Sequence, residues 1–439
     1  MSRSWISHLR LTSFKSYQDI TLPLSMLTVL IGRNGSGKSN ALDALEALSR
    51  LARADEVRDA LDGTRGMVGP VRGGGEGCAP HGSHSFEIGA TIKGDDGFAA
   101  DLDVAVQVSP RPEIVQERLV GTVKGKRHEL VQTEPADPNR SDLRAHIWNG
   151  NKSKNPVMAF RSSHLLTSQL PLRLAGETDN EQALVETAQR VLGVLSGVFH
   201  LDPIPHLMRQ YVPEQDNIMR RTGENVSAAI ARLKRDDAEG FARLVRVIKE
   251  LPAHEIRSVE VGKGQYGEVM VALKERKGRG SVTVPARQMS DGMLRMLAIV
   301  TALLSGGTGL ALDNSALAPS PALMLVIEEL ENGLHPSQAA RVLELVKQSS
   351  ADRGFQVVIT THSPALLNAL SGDDHIGVIL IARDRTSGLS HARSLVDVPG
   401  YLALMARERL GDAVTRDDLA KELPAQPDFS DLNRLLGIG

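Results

Sequence analysis

The sequence predicts an α/β fold with a β-rich lobe and an inserted helical subdomain. An apolar run of strand type, Leu27–Ile31, leads directly into a glycine-rich loop and then into an amphipathic helix. Residues 84–130 alternate apolar and polar side chains with period 2, which indicates antiparallel strands. Residues 165–255 change to helical spacing, and strand-like apolar runs return after them.

The glycine-rich loop at residues 32–39 matches the phosphate-binding pattern Gly-x-x-x-x-Gly-Lys-Ser/Thr. Its glycines let the backbone wrap a polyphosphate, so that several N–H groups point at the phosphate oxygens. Lys38 supplies a positive charge for the β- and γ-phosphates of ATP, and the Ser39 hydroxyl is placed to ligate Mg²⁺. A helix that begins near Lys38 adds the positive end of its dipole. The predicted nucleotide-binding residues here are Gly32, Arg33, Asn34, Gly35, Ser36, Gly37, Lys38, Ser39 and Asn40.

Composition narrows the class of protein. The chain has 439 residues, of which 41% are apolar and 24% are charged, as in ordinary soluble proteins. Aromatic residues make up 3% of the chain, so an aromatic platform for stacking bases is not expected. The net charge of −2 excludes a global basic field, so nucleic acid could bind only at a local basic patch. The single cysteine, Cys78, excludes an internal disulfide framework and fits a reducing cytoplasm. No signal peptide is visible, and the apolar stretch Met296–Leu312 is predicted as a buried helix rather than a membrane span.

The order of these patterns divides the chain into four predicted parts. They are the N-terminal part of the core at 1–71, the β-rich lobe with loops at 72–160, the helical insert at 161–255, and the C-terminal part of the core at 256–439. Residues 6–31 are predicted to hold two strands before the phosphate loop. Residues 72–83 are glycine-rich and predicted as a mobile loop, and residues 131–156 are polar, contain prolines and are predicted as loop.

An acidic motif follows a second buried strand. Leu323–Ile327 is entirely apolar, and Glu328 and Glu329 come directly after it. A strand that ends in two acids is the Walker-B arrangement, in which one carboxylate orients the Mg²⁺ shell and the next polarises the attacking water. We therefore predict Glu328 as the metal-side acid and Glu329 as the general base.

Two further motifs fit a nucleotide site. The segment Gln288–Arg295 opens a long apolar helix with Ser290 as a plausible N-cap, and its small residues, Gly292 among them, leave backbone N–H groups open for a γ-phosphate. A third strand-like run, starting at Gln356, ends in His362. A neutral imidazole there could bond either the γ-phosphate or the attacking water, so His362 is a second predicted catalytic residue.

Taken in this order, the motifs resemble those of the ATP-binding-cassette (ABC) ATPases. Within them the chain is similar to the RecF, structural-maintenance-of-chromosomes (SMC) and overcoming-lysogenization-defect (OLD) group, often labelled AAA family ATPases. The residues that carry the resemblance are Phe14–Tyr17, Asn34–Asn40, Gln288–Gly292 and Ile327–Pro336. The resemblance implies a P-loop NTPase fold of the ABC-ATPase head kind and a head-to-tail homodimer that sandwiches two ATP. In it Ser290 and Gly292 of one subunit would contact the γ-phosphate bound by the other, and Asn332–His335 would communicate across the interface.

Departures from the family pattern bear on the details. The signature reads Met-Ser-Asp-Gly-Met at 289–293, and Glu328 stands where transport ATPases have Asp. Gln169 is the candidate Q-loop glutamine. No long heptad run is present, so no coiled-coil arm is predicted. The residues after His362 lack a Glu-Gly-x-x-Asp pattern; we expect them to complete the ATPase core rather than to form the Toprim nuclease domain of OLD-type nucleases.

The predicted function is ATP binding and hydrolysis. ATP-driven head-to-tail dimerisation is predicted to switch a partner effector, and a higher oligomer is also possible. The resemblance implies a separately encoded effector, such as a nuclease, and a role in anti-phage defence or DNA repair. Two alternatives stay open. The chain could be the nucleotide-binding subunit of a membrane transporter, which the long β-lobe argues against, or a non-hydrolysing ATP-gated scaffold, which the intact Glu329 and His362 argue against.

Overall fold

The computed structural model describes residues 2–53, 55–64, 69–135, 142–150, 155–250, 255–312, 322–333 and 335–416. Leu334, which belongs to the predicted interface loop, lies outside the described residues. Among the described helices, none is long and apolar enough to cross a membrane.

Three strands, not two, precede the phosphate loop. The first N-terminal elements are β1 (Ser4–Phe14), β2 (Tyr17–Pro23), β3 (Leu27–Ile31), α1 (Lys38–Ala52) and α2 (Val57–Asp62). The prediction of two strands was wrong because a tight turn folds β1 back on β2, with Lys15 at a left-handed φ of 50°. The strand at Leu27–Ile31 and the helix that starts at Lys38 are confirmed.

The β-rich lobe extends this sheet with antiparallel strands. They are β4 (Ser85–Gly94), β5 (Ala99–Gln107), β6 (Glu113–Val123), β7 (Lys126–Thr133), β8 (Asp142–Ile147) and β9 (Val157–Arg161). The prediction that 131–156 is loop was wrong, because β7 runs into this range and β8 lies inside it. The alternation of Leu143, Ala145 and Ile147, which are all buried, was the available signal for β8.

The glycine-rich segment 72–83 forms a series of turns with a short 3₁₀ turn at Glu76–Cys78, and its mobility stays a prediction. The Cys78 side chain is buried, and its carbonyl accepts a hydrogen bond from the Lys15 N–H over 3.0 Å. Burial raises the pKa of the Cys78 thiol to about 12, so the thiol stays protonated and unreactive.

Helices dominate the following segment, as the spacing predicts. The elements are α3 (Leu166–Arg173), α4 (Asp179–Ser196), β10 (Val198–Leu201), β11 (Val212–Pro213), α5 (Val226–Asp236) and α6 (Ala238–Glu250). Strand β10 was not predicted, because four residues directly after a long helix continue its apolar pattern. It nevertheless belongs to the main sheet.

The C-terminal part alternates strands and helices. Its elements are β12 (Ile256–Lys263), β13 (Glu268–Lys277), β14 (Gly280–Pro285), α7 (Asp291–Ser305), β15 (Met324–Ile327), α8 (Pro336–Arg353), β16 (Gln356–Thr361), α9 (Pro364–Leu367), β17 (Val378–Arg383), β18 (Ser390–Ser394), α10 (Tyr401–Met405) and α11 (Leu410–Thr415). The buried helix predicted at Met296–Leu312 is confirmed as α7, although it ends at Ser305.

In the described residues, one 14-stranded sheet runs in the order β10-β15-β16-β3-β17-β18-β2-β1-β4-β5-β6-β7-β8-β9. Its first five strands are parallel, and β1, β2 and the lobe strands pair antiparallel. Leu30 packs into the core shared with α1, whereas Val29 and Ile31 join the core on the opposite face, where α7 and α8 lie. The predicted α/β fold class is therefore confirmed.

The strand order positions the site. Strand β3 pairs with β16, and β16 pairs with β15, so the strand that ends before His362 lies between the phosphate-loop strand and the Walker-B strand. Since the strands are parallel, the residues that follow all three meet at one sheet edge, the place where ligands bind in open α/β sheets. A second, smaller antiparallel sheet of β11 to β14 packs against α5.

Candidate functional site

The phosphate loop connects β3 to α1. At two of its positions the backbone conformation and the close neighbours suit only glycine. Gly32 has a φ of 147°, and a Cβ there would lie 2.1 Å from the carbonyl oxygen of Ile381 on β17. Gly37 caps α1 at a φ of 113°, and its Cβ would lie 2.4 Å from Ser390 Oγ. The two glycines therefore let the neighbouring strands pack directly against the loop.

Hydrogen bonds from outside the loop hold its shape. Tyr17 donates its hydroxyl proton to the Gly37 carbonyl over 3.0 Å, and Ser390 Oγ donates to the Ser36 carbonyl over 2.7 Å. Asn40 donates to Ser16 Oγ, which lies 2.6 Å from Ser390 Oγ. Because these bonds tie down carbonyls and side chains, the loop is preorganised before a phosphate arrives.

Lys38 is buried and folds back over its own loop. Its Nζ donates to the carbonyls of Gly32 at 2.7 Å and Arg33 at 2.9 Å. Burial lowers the pKa of Lys38, and the negative charges of Glu329, Glu331 and Glu328 oppose that change. The acids after β15 are thus close enough to Lys38 to act on its charge, as expected for residues of one site.

A cavity of about 720 Å³ adjoins the loop. Loop residues 32–36 line one side, and residues 380–385 at the end of β17 line the other, together with Val414. Arg33, Arg383 and Arg385 are among its lining residues. The volume falls in the range of ligand and cofactor pockets, and the arginines suit an anionic ligand.

The two predicted Walker-B acids have different surroundings. Glu328 follows β15 directly, its side chain is 32% exposed, and it pairs with Arg72. Glu329 is exposed and has a left-handed φ of 46°, which is uncommon for a residue other than glycine. Its backbone N–H donates to Thr360 Oγ1 over 2.9 Å, and this bond to β16 fixes the strained turn. Such strain often marks a functional position.

The partner of Glu328 comes from the glycine-rich segment. Arg72 Nη2 donates to Glu328 Oε1 over 2.8 Å. The Arg72 carbonyl accepts from Lys15 Nζ, which also pairs with Asp43 of α1 at 2.7 Å. Burial lowers the pKa of Arg72, but the carboxylates of Asp43 and Glu328 outweigh it and leave that pKa raised. Arg72 is a site residue that no sequence motif indicates.

His362 directly follows β16 and contacts a third acid. Glu331 Oε1 accepts from the His362 backbone N–H over 2.8 Å and lies 3.2 Å from His362 Nδ1. The His362 side chain is 51% exposed, whereas that of Glu331 is 12% exposed. No motif predicts a role for Glu331, because it stands two positions beyond the acidic pair. The turn after β15 nevertheless brings it into contact with His362.

The signature segment begins α7 as predicted, with the Ser290 hydroxyl accepting from the Met293 N–H over 3.2 Å as the N-cap. Arg209 braces this helix start by donating to the Met289 carbonyl and, at 2.7 Å, to Asp291. A Cβ on Gly292 would lie 2.0 Å from the Gly333 carbonyl, so the signature and the predicted interface loop lie side by side. No hydrogen bond joins Ser290 to the phosphate loop within the part of the chain described.

Gln169, the candidate Q-loop residue, has its amide engaged elsewhere. Its Oε1 accepts from the Arg161 N–H, and its Nε2 donates to the Arg161 carbonyl over 3.0 Å. These bonds tie α3 to β9. Within the described residues, the side-chain hydrogen bonds of Gln169 all go to nearby backbone groups, so Gln169 makes a local bracing contact.

The residues present fit Mg²⁺. Ser39 and Glu328 offer a hydroxyl and a carboxylate oxygen, which are hard donors of the kind that Mg²⁺ prefers. Groups of three or more His, Cys, Asp or Glu side chains arranged to hold a metal are absent from the described residues. Mg²⁺ is usually held by one or two protein groups, with phosphate oxygens and water completing its shell.

Two protein-family models match the chain. One, described as "AAA ATPase domain", matches residues 5–79, which contain the phosphate loop. The other, described as "AAA domain, putative AbiEii toxin, Type IV TA system", matches residues 159–368, which contain the signature, the acidic turn and His362. Among curated proteins, none matches the chain.

Solved structures similar to the chain include heads of SMC proteins. The SMC head domain from Thermotoga maritima is 14% identical, with a TM-score of 0.42, and the match covers 89% of this chain and 98% of that one. A Smc head bound to the C-winged helix domain of ScpA is 16% identical, with a TM-score of 0.45 and coverage of 91% and 100%. A Smc head from Pyrococcus furiosus, bound to the C-terminal domain of ScpA, is 14% identical, with a TM-score of 0.44 and coverage of 92% and 100%.

Both family models describe AAA-type ATPase domains, and the resemblance drawn from the motifs is confirmed at this level. The two matches together contain every motif that carried it. The strand order agrees, because the phosphate loop, the acidic turn and His362 follow neighbouring parallel strands.

Proposed function

We propose that the protein binds ATP with Mg²⁺ and hydrolyses it, and that ATP closes two copies head to tail. The observation that carries this proposal is the convergence of Lys38 with the acids at 328–331 at the carboxyl edge of the parallel strands. A polyphosphate on the loop would bring its γ-phosphate toward these acids, because their charges act on Lys38 where it lies over the loop.

Each residue then has a distinct role. On phosphate binding, Lys38 exchanges its bonds to the carbonyls of Gly32 and Arg33 for the β- and γ-oxygens. Ser39 and Glu328 would hold Mg²⁺, which when bound neutralises charge on the phosphates. Glu329 accepts the proton of the attacking water, and its exposed position leaves it open to that water.

The head-to-tail dimer rests on the position of the signature. Ser290 is exposed, and the backbone N–H groups at the start of α7 form a positive helix end. The contact between Gly292 and Gly333 puts the signature and the interface loop on one face. We assign this face to the γ-phosphate bound by a second copy. Opening and closing of such a pair would convert hydrolysis into a movement.

The biological setting belongs to the same proposal. We place the protein in the cytoplasm, where the ATP cycle would switch a separately encoded effector in anti-phage defence or DNA repair. The family description that mentions the AbiEii toxin of a type IV TA system supports the defence role. The division of the chain at residues 71, 160 and 255 remains a prediction, and so do the roles of the individual site residues.

Phosphate release from ATP by the purified chain, with and without Mg²⁺, tests the proposal. We expect Mg²⁺-dependent turnover that Lys38→Ala abolishes together with ATP binding, because the variant loses the charge that offsets the β- and γ-phosphates. Lys93→Ala, at an exposed lysine of the β-lobe, serves as the matched control. ATP bound tightly by Lys38→Ala would refute the assignment of the loop, and binding without turnover by the wild type would favour the scaffold alternative.

A further inference from the structure

A second cavity, of about 610 Å³, lies between the C-terminal half of α1 and the edge strand β10. The segment 220–224 closes it on a third side. Among the described residues, it shares no lining residue with the cavity beside the phosphate loop. Its walls carry four arginines, Arg50, Arg53, Arg220 and Arg221. The volume is that of a small-molecule site, and guanidinium groups suit an anionic ligand.

The described ion pairs leave an excess of positive charge beside this cavity. Arg50 and Arg221 donate to the same oxygen of Glu46, Oε1, and the bond from Arg50 is 2.5 Å long. Glu46 is the only carboxylate that pairs with either guanidinium among the described residues. Two cations therefore share one anion, and an anionic ligand would supply the missing negative charge.

The two guanidinium groups differ in their access to solvent. Arg50 is 5% exposed, and its Nη1 donates to the Gly69 carbonyl over 2.7 Å, which fixes its position. The Arg221 side chain is 41% exposed, so a ligand can reach it from outside. The cavity thus combines a preorganised cation in its wall with an accessible one.

His200 brings an unsatisfied nitrogen to the same cavity. It lies two residues from Val198 on β10, so it points to the sheet face on which Val198 joins the core shared with α1. Its side chain is 10% exposed and lines the cavity. The ring Nε2 is buried, and it has no hydrogen-bond partner among the described residues. A buried polar atom in this state is costly, and a ligand that bonds to it would remove the cost.

Glu224 sets a second requirement for the ligand. Its Oε1 accepts from Arg220 Nη1 over 3.2 Å, whereas its Oε2 is buried without a partner in the described part of the chain. A carboxylate oxygen accepts hydrogen bonds and repels other anions. A ligand that fills the cavity therefore needs a donor, such as a hydroxyl, in addition to its anionic group.

The lining argues against a nucleobase in this cavity. Phe199 is the only Phe, Tyr or Trp among the described lining residues, and its side chain joins the core on the opposite face of the sheet. A base would therefore find no such ring to stack on. A phosphate ester of a sugar or another polyol combines the required anion with hydroxyl donors.

We propose that the cavity between α1 and β10 binds a small phosphate ester of a polyol. Arg50 and Arg221 would pair with the phosphate, the His200 ring would hydrogen-bond to the ligand, and Glu224 would accept from a ligand hydroxyl. This site is separate from the proposed ATPase site, and its occupancy can be measured without ATP turnover.

The first test is isothermal titration calorimetry of Lys38→Ala protein, in which the phosphate loop has lost its cation. The probes are ribose 5-phosphate, inorganic phosphate and ribose. We expect ribose 5-phosphate to bind with a Kd of about 1 mM or lower, inorganic phosphate to bind more weakly because it brings no sugar hydroxyl to Glu224, and ribose not to bind. No saturation by ribose 5-phosphate would overturn the proposal, and inorganic phosphate bound as tightly as the ester would overturn the assignment to an ester.

Arg221→Gln, added in the same background, removes the charge but keeps an amide that can donate to Glu46. It should weaken the binding of ribose 5-phosphate by about 10-fold or more, because a charge-assisted bond is lost. Arg118→Gln is the matched control, since Arg118 is 48% exposed and pairs with Glu129 in the β-lobe, and it should leave the Kd unchanged. Equal weakening by both substitutions, or none with Arg221→Gln, would overturn the proposal.

NMR of histidine-labelled Lys38→Ala protein tests the location without altering the cavity. The ring signals of His200, identified by their absence from His200→Asn, should shift as ribose 5-phosphate saturates the protein. Those of His128, on β7 near the other end of the sheet, should not move. A His200 signal that stays fixed at saturation would contradict the proposal.

Discussion

Arg72 and Glu328 form a charge-assisted hydrogen bond of 2.8 Å between segments 256 residues apart in sequence. The guanidinium of Arg72 is thus paired with the carboxylate that is predicted to orient Mg²⁺. Two further contacts hold Arg72 in place. Asp43 Oδ1 lies 3.7 Å from Arg72 Nε, and Lys15 Nζ donates to the Arg72 carbonyl over 2.7 Å. Loading the metal would therefore compete with an internal cation that the protein already supplies.

Arg72→Ala should lower the Mg²⁺ concentration needed for half-maximal ATP turnover by about 2- to 5-fold. The Arg72 side chain is 55% exposed, and pairs of that exposure contribute on the order of 1 kcal/mol or less. The measurement is a Mg²⁺ titration of ATP turnover at saturating ATP. Arg118→Ala, which removes an exposed pair with Glu129 in the β-lobe, should leave the titration unchanged. A higher Mg²⁺ requirement in Arg72→Ala would show that Arg72 assists the metal rather than competing with it.

Substitution of the two adjacent acids should give different phenotypes. Glu329→Gln should keep ATP and Mg²⁺ binding but lower turnover by about 10²- to 10⁴-fold, because it removes the general base, and should trap an ATP-bound dimer. Glu328→Gln should chiefly raise the Mg²⁺ requirement, because it removes a charged ligand. Turnover assays and light scattering with ATP check both. If Glu329→Gln turns over at the wild-type rate, Glu329 is not the base.

The site residues that lie in sequence motifs could be predicted, because their chemistry depends on local spacing. Lys38 and Ser39 lie in one loop, and Glu328 and Glu329 lie at one strand end, so neighbours in sequence fix their setting. The contacts of Arg72 and Glu331 could not be predicted, because packing of distant segments creates them. The same holds for β10, whose pairing with β15 is decided by tertiary structure.

His200 should make the fold sensitive to mild acid. Burial lowers its pKa from the usual 6.5 to about 3, and Arg221, Arg50 and Arg53 act in the same direction against the attraction of Glu46. Below pH 6.5 His200 is therefore protonated in the unfolded chain but stays neutral in the folded chain. The free energy of unfolding should fall as pH drops from 6.5, with a slope of up to about 1.4 kcal/mol per pH unit from this group.

The check is urea unfolding of wild type and His200→Asn at pH 7 and pH 5. The loss of stability on acidification should be smaller in His200→Asn, which has nothing to titrate at this position. His206→Asn, at an exposed histidine, is the control and should follow the wild type. Equal acid sensitivity in His200→Asn and the wild type would mean that His200 does not remain neutral in the folded state.

The head-to-tail arrangement makes a prediction about Ser290, which is far from the phosphate loop in sequence. Ser290→Arg puts a bulky cation at the exposed start of α7. It should spare ATP binding by the monomer, because Lys38 and the loop are intact, but eliminate ATP-driven dimerisation and turnover. Ser281→Arg, at an exposed serine of β14, should retain all three properties and controls for the added charge.

The most direct measurement is ATP turnover after mixing Ser290→Arg protein with Lys38→Ala protein, each inactive alone. In a head-to-tail pair, Ser290 of the Lys38→Ala subunit serves the intact loop of the Ser290→Arg subunit, so one site is whole and the other carries both defects. The account predicts that turnover returns on mixing and rises with the concentration of either partner. Robust turnover by Ser290→Arg alone, as a strict monomer in light scattering, would contradict the shared site and leave an ATPase that works as a single subunit.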